Sequence, residues 1–334
     1  MTGQPGAVFA GWGTFAPERR VTNHDWEQTL DTTDEWIVDR TGIKERRWAA
    51  PEDTTSSMAV AAGAAAIKDA GLTPDDIDLL ILATTTPDQI VPAASAFVSD
   101  GLGLRCGAFD LNAACAGFAY SLVVATSILS TGAARNILVI GAETISRFIN
   151  PEDRGTAILF GDGAGATVVQ AGASGAGAPG LLAWDLGCDG SAAQFLEVRG
   201  GGSRLPASAE TLADGDHFVR MDGNEIFRRA VRAVVGSATA TLDKAGVTAD
   251  EVNLFVPHQA NVRIIDAICS RLDIPAERTV VNIERYGNTS AASIPLALVE
   301  AHEAGRINDG DLVLLSGFGA GMTWASALIR WGRS

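Results

Sequence analysis

Short apolar runs alternate with longer alanine-rich segments along the chain, and the two patterns predict different elements. The apolar runs are rich in leucine, isoleucine and valine, which favour strands. They predict strands at residues 79–83, 137–141, 166–170, 254–256, 279–282 and 312–316. The alanine-rich segments predict helices at residues 58–70, 117–130, 224–245, 263–272 and 291–300. Because strands and helices alternate, we expect an α/β fold with a mainly parallel sheet and helices on its faces.

One pattern occurs twice in the chain. The sequence AGLTPDDIDL at residues 70–79 returns as AGVTADEVNL at residues 245–254, which is 175 positions later. The apolar runs at 136–140 and 311–315 have the same offset. Two separate segments that share one offset predict two copies of one fold.

The repeat also relates residues that are capable of chemistry. At the offset of 175, Cys115 corresponds to Ser290. We expect an N-terminal half at residues 1–175 and a C-terminal half at residues 176–334, with inner helices packed between two sheets. Such a molecule can direct strand ends from both halves into one cleft.

Two glycine-rich segments are predicted to lack regular structure. Residues 171–180 contain only Gly, Ala, Ser and Pro, which is typical of a surface loop, and they separate the two copies. Residues 161–166 read GDGAGA. They lack the Gly-Lys-Ser/Thr of a phosphate-binding loop and the Gly-x-Gly-x-x-Gly of a dinucleotide site, so we predict a tight turn.

Composition and charge exclude several classes of protein. The chain has 334 residues, of which 47% are hydrophobic, so it can bury a large core. No apolar run approaches the length of about 20 residues that spans a membrane, and no signal peptide is recognisable. The net charge of −15 argues against a nucleic-acid partner. The four cysteines have no Cys-x-x-Cys spacing, so we expect no zinc site, no disulfide framework and a reducing cytoplasm.

Cys115 is the candidate nucleophile. It precedes the predicted helix at 117–130, so its sulfur is expected at a helix N-terminus, where free N–H groups and the helix dipole favour a thiolate. The neighbouring residues are Ala and Gly, which leave room for a substrate. A buried packing cysteine is the alternative interpretation.

His258 and Asn288 lie at the ends of repeated elements. His258 follows the predicted strand at 254–256, at the strand end where open α/β sheets bind ligands. Asn288 precedes the predicted helix at 291–300. A loop histidine and a helix N-cap are the alternatives for the two residues. Taken with a thiol, however, the imidazole and the carboxamide suit a nucleophile assisted by two hydrogen-bond donors.

The sequence FGAG follows the last repeated strand, at residues 318–321. Two glycines let the backbone turn sharply and expose N–H groups, as an oxyanion site requires. An ordinary turn is the alternative.

Six segments, in order along the chain, resemble the β-ketoacyl-acyl-carrier-protein synthase III family of thiolase-like enzymes. They are DEWIVDRTGI at 34–43, the Cys115 segment, DRGT at 153–156, PHQAN at 257–261, GNTSAAS at 287–293 and FGAG at 318–321. The resemblance covers nearly the whole chain. It implies a thiolase-like fold, in which two βαβαβαββ halves pack as five αβαβα layers.

The resemblance implies a decarboxylating Claisen condensation between an acyl-coenzyme A starter and malonyl carried on acyl carrier protein. Cys115, His258 and Asn288 would form the catalytic triad, and the N–H groups of Cys115 and Ala320 would form the oxyanion hole. Cys115 would carry the acyl group. Loss of carbon dioxide generates the carbanion, so neutral donors suit the chemistry and no metal or redox cofactor is required.

The resemblance also implies partners for the chain. Trp36, Arg40, Arg154 and Asn261 would hold coenzyme A, which is a substrate and not a resident cofactor. The protein would be a cytoplasmic homodimer without nucleic-acid or membrane partners. It would start fatty-acid synthesis or prime an aromatic polyketide, and the sequence does not separate these two pathways.

The segment at 86–92 corresponds to the loop that reaches across the dimer into the acyl pocket in this family. Some members have a bulky aromatic residue where this chain has Val91. The smaller side chain leaves more room, so we expect starters that are longer or more branched than acetyl to be accepted.

Docking of an acidic carrier protein on an acidic enzyme requires local cations. Arg228 and Arg232 share a face of the predicted helix at 224–245, and Arg263 could join them. A solvated helix face is the alternative interpretation.

Three other functions remain as alternatives. The first is a same-fold acyltransferase that forms an ester or amide without decarboxylation, which would favour a base over Asn288. The second is a plant-type polyketide synthase, which would be longer and would extend on coenzyme A. The third is a non-catalytic acyl-binding scaffold, in which Cys115 would never be acylated.

Overall fold

The computed structural model describes residues 6–172, 175 and 177–332. The strands in this part of the chain are β1 (Gly6–Phe15), β2 (Arg20–Thr22), β3 (Glu45–Arg47), β4 (Leu79–Ala83), β5 (Gly107–Leu111), β6 (Asn136–Glu143), β7 (Gly163–Gly172), β8 (Gly180–Cys188), β9 (Leu196–Glu197), β10 (Arg220–Met221), β11 (Leu254–Pro257), β12 (Leu312–Gly319) and β13 (Thr323–Arg330). The α-helices are α1 (Asn23–Glu27), α2 (Asp34–Thr41), α3 (Thr55–Asp69), α4 (Ala94–Leu102), α5 (Gly117–Ser130), α6 (Arg154–Ala157), α7 (Ala209–Ala213), α8 (Gly223–Ala245), α9 (Val262–Leu272), α10 (Ile283–Tyr286) and α11 (Ser293–Glu303).

The long helices begin and end where the sequence supplies caps. The Asp222 side chain accepts a hydrogen bond from the backbone N–H of Glu225 and so caps the N-terminus of α8. The same helix ends at Gly246, whose φ of 66° is left-handed and suits a residue without a side chain. Thr54 caps α3 in the same way as Asp222 caps α8.

Two sheets form the centre of the molecule. The first has the strand order β1-β7-β6-β4-β5, with β4 parallel to β5 and β6, and with β1 and β7 antiparallel to their neighbours. The second has the order β11-β12-β13-β8, with β11 parallel to β12. The two orders correspond strand by strand, except that the second sheet has no counterpart of β5 among its described strands.

The predicted strand at 279–282 occupies the place of this missing fifth strand, but the prediction is wrong. Thr279 forms one isolated bridge with Phe255, and the N–H of Val280 donates to the carbonyl of Phe255. The chain then leaves the sheet towards α10. One bridge is too short a pairing to form a strand.

Helices cover both faces of each sheet, which confirms the expected five layers. Helices α5 and α11 contact strands between the two sheets, α3 and α4 contact the outer face of the first sheet, and α8 and α9 cover the second. Alternate strand residues face different layers. In β4, for example, Ile81 belongs to the inner core, whereas Leu80 and Leu82 belong to the outer core with α3.

The offset between the two halves changes once along the chain. Leu79 and Leu254 are 175 residues apart, but their pairing partners Ile137 and Val313 are 176 apart. The short 3₁₀ turns before α5 and α11 begin at Ala114 and Ser290, which are also 176 apart. The residue that corresponds to Ser290 is therefore Ala114, and the predicted match with Cys115 is wrong by one position.

The first sheet lies entirely before residue 173 and the second entirely after residue 179. The boundary between the halves at residue 175 itself stays a prediction. In the predicted loop at 171–180, the first two residues belong to β7 and the last to β8, while residues 173, 174 and 176 lie outside the described residues.

The tight turn predicted at 161–166 is wrong, because β7 already begins at Gly163. The glycines serve close packing instead. A Cβ atom on Gly165 would lie 2.7 Å from the Cβ of Pro295, so the absence of a side chain lets α11 approach the sheet. No helix in the described ranges is both long and apolar enough to cross a bilayer.

Candidate active site

Cys115 lies in the 3₁₀ turn Ala114–Ala116, immediately before α5 begins. Ala114 has a φ of 48°, so the chain makes a sharp turn as it enters the helix. The end of β12 packs against this turn. A Cβ atom on Gly319 would lie 2.5 Å from the backbone nitrogen of Cys115, so the approach depends on glycine at this position.

A cavity of about 630 Å³ reaches Cys115. Residues of both halves line it: Thr85, Thr86, Asn112, Ala113, Ala114, Cys115, Ile145, Phe148 and Phe160 from the first, and Ala193, Leu196, Glu197, Val198, Gly200, Val219, Ser290, Ala320, Gly321 and Thr323 from the second. Most of the lining is apolar, and the predicted oxyanion residue Ala320 belongs to it. The cavity can therefore take an acyl chain up to the sulfur.

The Cys115 thiol donates a hydrogen bond to Oγ of Ser290 over 3.3 Å, and the Ser290 hydroxyl donates to Oε1 of Glu143 over 2.9 Å. Burial raises the pKa of Cys115 to about 12, the hydrogen bond with Ser290 opposes the increase, and the carboxylate of Glu143 adds to it. This direction is opposite to the one expected from a helix N-terminus alone. The Cys115 side chain is therefore a neutral thiol near neutral pH.

Glu143 is fully buried at the end of β6. Its carboxylate accepts hydrogen bonds from the hydroxyl groups of Thr84, Thr85, Thr86 and Ser290 and from the backbone N–H of Thr85. Burial raises its pKa, and the hydroxyl donors oppose the increase. Glu143 was not among the candidate residues predicted from the sequence, although a glutamate at the end of a buried apolar run is a usable signal.

His258 lies directly after β11 and is only 3% exposed. Its Nδ1 lies 2.6 Å from Oγ of Ser293, and that same oxygen accepts a hydrogen bond from the N–H of Gln259. This contact accommodates the tautomer in which the Ser293 hydroxyl donates to Nδ1 and the imidazole proton lies on Nε2. Burial lowers the pKa of His258 to about 3, so the ring is neutral. Nε2 has no hydrogen-bond partner among the described residues.

Two backbone hydrogen bonds fix Asn288 to residues of the first half. Its N–H donates to the carbonyl of Leu159, and its carbonyl accepts from the N–H of Gly161. Its Oδ1 accepts from the N–H of Ser290 over 2.9 Å. The Nδ2 group is left as a donor without a partner in the described part of the chain.

The structure brings the three predicted residues onto neighbouring segments. Ser290 contacts both Cys115 and Asn288, and His258 is bonded to Ser293, one turn further along the same segment. His258 and Asn288 are buried and do not contribute to the described lining of the cavity. The cavity therefore reaches the sulfur of Cys115, and His258 and Asn288 lie behind the residues that line it.

Trp36, which is partly buried, forms a cluster with two exposed cations. The guanidinium of Arg154 lies 4.6 Å from the centre of a Trp36 ring, and that of Arg40 lies 5.7 Å away. Arg154 is also fixed by a hydrogen bond from its Nη1 to the carbonyl of Asp31. An aromatic face flanked by two guanidinium groups can hold a nucleobase and its phosphates.

The Asn261 side chain forms two hydrogen bonds with the backbone. Its Oδ1 accepts from the N–H of Arg263 and so caps α9, and its Nδ2 donates to the carbonyl of Arg40. The side chain therefore connects α9 to the Trp36 cluster. Both of its polar atoms are engaged in these bonds.

The other predicted site residues lie on the surface. Val91 is 79% exposed and does not line the cavity of its own chain. Arg228 is paired with Glu225, with both oxygens 2.7 Å from its Nη2. Arg232 and Arg263 are exposed, and their side chains have no ion pair with a described residue. Within the described ranges, His, Cys, Asp and Glu side chains do not group as a metal site.

Comparisons with known proteins agree on one family. Residues 109–190 match the family model of 3-oxoacyl-[acyl-carrier-protein] synthase III, and residues 242–331 match the model of its C-terminal part. The β-ketoacyl-[acyl-carrier-protein] synthase III of Roseiflexus castenholzii is 52% identical over 97% of this chain and 98% of its own.

Solved structures give the same result. The 3-oxoacyl-[acyl-carrier-protein] synthase III of Aquifex aeolicus superposes with a TM-score of 0.90 at 44% identity, over 98% of this chain and 100% of its own. The priming β-ketosynthase of the R1128 polyketide pathway superposes with a TM-score of 0.91 at 36% identity, over 100% of this chain and 99% of its own.

Proposed function

Because this chain belongs to the β-ketoacyl-[acyl-carrier-protein] synthase III family, we propose that it condenses an acyl-coenzyme A starter with malonyl-acyl carrier protein and releases carbon dioxide. The product is a 3-oxoacyl-acyl carrier protein, which starts fatty-acid synthesis or primes a polyketide. One observation carries the assignment of residues. Nε2 of His258 has no partner among the described residues, and His258 and Asn288 lie on the segments that surround Ser290, the residue in contact with Cys115.

In the first half-reaction, Cys115 attacks the thioester of the acyl-coenzyme A. The cavity holds the acyl chain, coenzyme A leaves, and the acyl group stays on the sulfur. The backbone N–H groups of Cys115 and Ala320 stabilise the tetrahedral oxyanion, and each such donor contributes about 3 kcal/mol in comparable sites.

In the second half-reaction, the malonyl group loses carbon dioxide and leaves an enolate. Nε2 of His258 and Nδ2 of Asn288 donate hydrogen bonds to the enolate oxygen. The lowered pKa of His258, about 3, keeps the ring neutral, so it stabilises the enolate as a hydrogen-bond donor and not as a cation. The enolate carbon then attacks the acyl group on Cys115.

The Trp36 cluster binds the nucleotide end of coenzyme A. The indole face of Trp36 and the guanidinium of Arg154 offer planar surfaces on which adenine can stack. Arg40 supplies positive charge for the phosphates. Asn261 fixes the backbone of Arg40 and so acts on this site indirectly.

A second copy of the chain completes the enzyme. Strand β5 is an edge strand, and an uncovered edge carries unpaired backbone groups. Phe97, Phe109, Ile90 and Val91 are exposed apolar residues on β5 and on the elements just before it. Pairing of two β5 strands covers this edge and brings Val91 towards the partner's cavity. The free cysteines suit a cytoplasmic homodimer.

Acyl transfer to an alcohol or amine without decarboxylation is the competing function. That reaction needs a base to activate the acceptor. A histidine whose pKa is lowered to about 3 and an asparagine are poor bases. These two side chains therefore favour condensation, because each suits a hydrogen-bond donor better than a base.

The test combines intact-protein mass spectrometry with measurement of carbon dioxide. Incubation with acyl-coenzyme A should add one acyl mass to the wild type and none to Cys115→Ala. Addition of malonyl-acyl carrier protein should then remove that mass and release one carbon dioxide per acyl group. Cys106→Ala, a partly buried cysteine elsewhere, is the control and should behave as the wild type. An acyl-enzyme that transfers its group without releasing carbon dioxide would establish the competing function.

A further inference from the structure

The residues of the proposed mechanism leave the Cys115 proton without an acceptor. We propose that Glu143, acting through the hydroxyl of Ser290, takes up this proton when the acyl-enzyme forms and returns it when the sulfur is released. This inference rests on the proposed role of Cys115 as the nucleophile.

The geometry has the form of a proton relay. The thiol donates to Ser290 Oγ over 3.3 Å, and that hydroxyl donates onward to Glu143 Oε1 over 2.9 Å. All three side chains are buried, at 6%, 1% and 0% exposure in the order Cys115, Ser290, Glu143. Water is therefore not needed between the sulfur and the carboxylate.

His258 is a poorer acceptor for this proton than Glu143. Nδ1 of His258 is bonded to Ser293, and burial lowers the pKa of the ring to about 3. Burial also raises the pKa of the Cys115 thiol to about 12, so spontaneous ionisation is rare at neutral pH. Burial raises the pKa of Glu143 above that of an ordinary carboxyl, which brings it closer to the working pH of a general base.

The surroundings of Glu143 suit a carboxylate that gains and loses one proton. Hydroxyl groups of Thr84, Thr85 and Thr86 face it from the segment after β4, and Ser290 faces it from the segment before α11. Hydroxyl groups can rotate to accept as well as donate. Through Ser290, the carboxylate of Glu143 is connected to one other titratable group, the Cys115 thiol. The carboxylate has no ion pair with a described residue.

The two steps balance. As the Cys115 sulfur bonds to the acyl carbon, its proton moves to Ser290 Oγ and the Ser290 proton moves to Glu143, while coenzyme A leaves as a thiolate and is protonated by water. When the enolate carbon takes the acyl group, the Cys115 thiolate leaves. It recovers a proton from Ser290, and Ser290 recovers one from Glu143.

The test is the single-turnover rate of acylation by acyl-coenzyme A, followed by rapid quench and intact mass between pH 6 and 10. Glu143→Gln and Ser290→Ala should each slow acylation about 100-fold at pH 7, within the range that general bases contribute. Affinity for coenzyme A should not change. The wild-type rate should be flat near neutral pH, whereas the variant rates should rise about tenfold per pH unit as free thiolate forms.

Ser121→Ala is the matched control, because Ser121 on α5 is a buried hydroxyl without a partner in the described chain. Ser290→Ala keeps the other bonds of Glu143, so it tests the relay even where Glu143→Gln lowers the melting temperature. Wild-type rates and pH profiles in both variants would overturn the relay. So would an equal loss at every pH, which would indicate a structural role. If the wild type itself takes up no acyl group, it is the nucleophile assignment that fails.

Discussion

Oγ of Ser293 lies 2.6 Å from Nδ1 of His258, so the first turn of α11 fixes the orientation of the imidazole ring. The bond joins the end of a strand of the second sheet to one of the two inner helices. Nε2 of the same ring has no hydrogen-bond partner in the described part of the chain. A ring of this kind is suited to donating a hydrogen bond and unsuited to taking a proton.

Acidification should destabilise the wild type more than His258→Gln. The folded-state pKa of His258, about 3, lies below its ordinary value of 6.5. Between these values the unfolded chain binds a proton that the folded chain does not. The contribution of neutral His258 to the free energy of unfolding is therefore complete above pH 6.5. It is lost as the pH falls to 3, by up to about 1.4 kcal/mol per pH unit. Urea unfolding at several pH values measures the free energy of unfolding of both proteins. The same pH dependence in the wild type and in His258→Gln would contradict the prediction.

The sequence predicted elements whose side chains are buried on all sides. Leu79–Ala83 is a continuous apolar run, and it is a strand with the predicted bounds. The segments of β5 and β13 were missed, because GAFDL is an exposed edge strand and TWASALIR mixes small and polar residues. Their strand character comes from pairing with neighbours, which a single chain segment does not reveal.

The sequence identified the residues of the candidate site but not the hydrogen bonds between their side chains. Cys115, His258 and Asn288 lie in short motifs that the sequence displays. The bonds from Cys115 to Ser290 and from Ser290 to Glu143 join positions 175 and 147 residues apart. The raised pKa of Cys115 depends on burial by both halves, so the helix N-terminus alone gave the wrong direction.

Substitution of Trp36 or Arg154 by alanine should raise the KM for acyl-coenzyme A about tenfold, because a stacked base contributes roughly 1–3 kcal/mol. The kcat and the KM for malonyl-acyl carrier protein should not change. Lys244→Ala is the control, since Lys244 lies 5.8 Å from the centre of a Trp184 ring and does not belong to the Trp36 cluster. Steady-state kinetics with each substrate varied separately measures the effect. An equal increase in both KM values would argue against a nucleotide site here.

Charge reversal at Arg232 and Arg263 should raise the KM for the carrier substrate about tenfold and leave that for acyl-coenzyme A unchanged. Both are exposed cations without ion pairs among the described residues. Arg228 is already paired with Glu225, so Glu225→Gln should free it and lower the same KM.

Lys68→Glu is the control for this docking surface, because Lys68 is exposed on α3 in the opposite outer layer. The wild-type KM for the carrier should rise with salt, and the charge-reversed enzyme should respond less. Equal increases in the KM for the carrier substrate on charge reversal at Arg232, Arg263 and Lys68 would show that the effect comes from overall charge and not from docking.

Val91→Phe should retain activity with acetyl-coenzyme A and lose activity with isobutyryl-coenzyme A by at least about tenfold, because the larger ring fills the acyl pocket. Val91 is 79% exposed in its own chain, so the effect must act in the partner's cavity. Kinetics with a panel of starters measures the selectivity.

Mixed dimers separate the two chains. Coexpression of Val91→Phe with Cys115→Ala places an unaltered Val91 opposite the chain that still has Cys115. Differently tagged mixed dimers should therefore recover activity with isobutyryl-coenzyme A at each remaining active site, whereas Val91→Phe homodimers should not. If the mixed dimers keep the selectivity of Val91→Phe, Val91 acts within its own chain and the arrangement across the dimer is wrong.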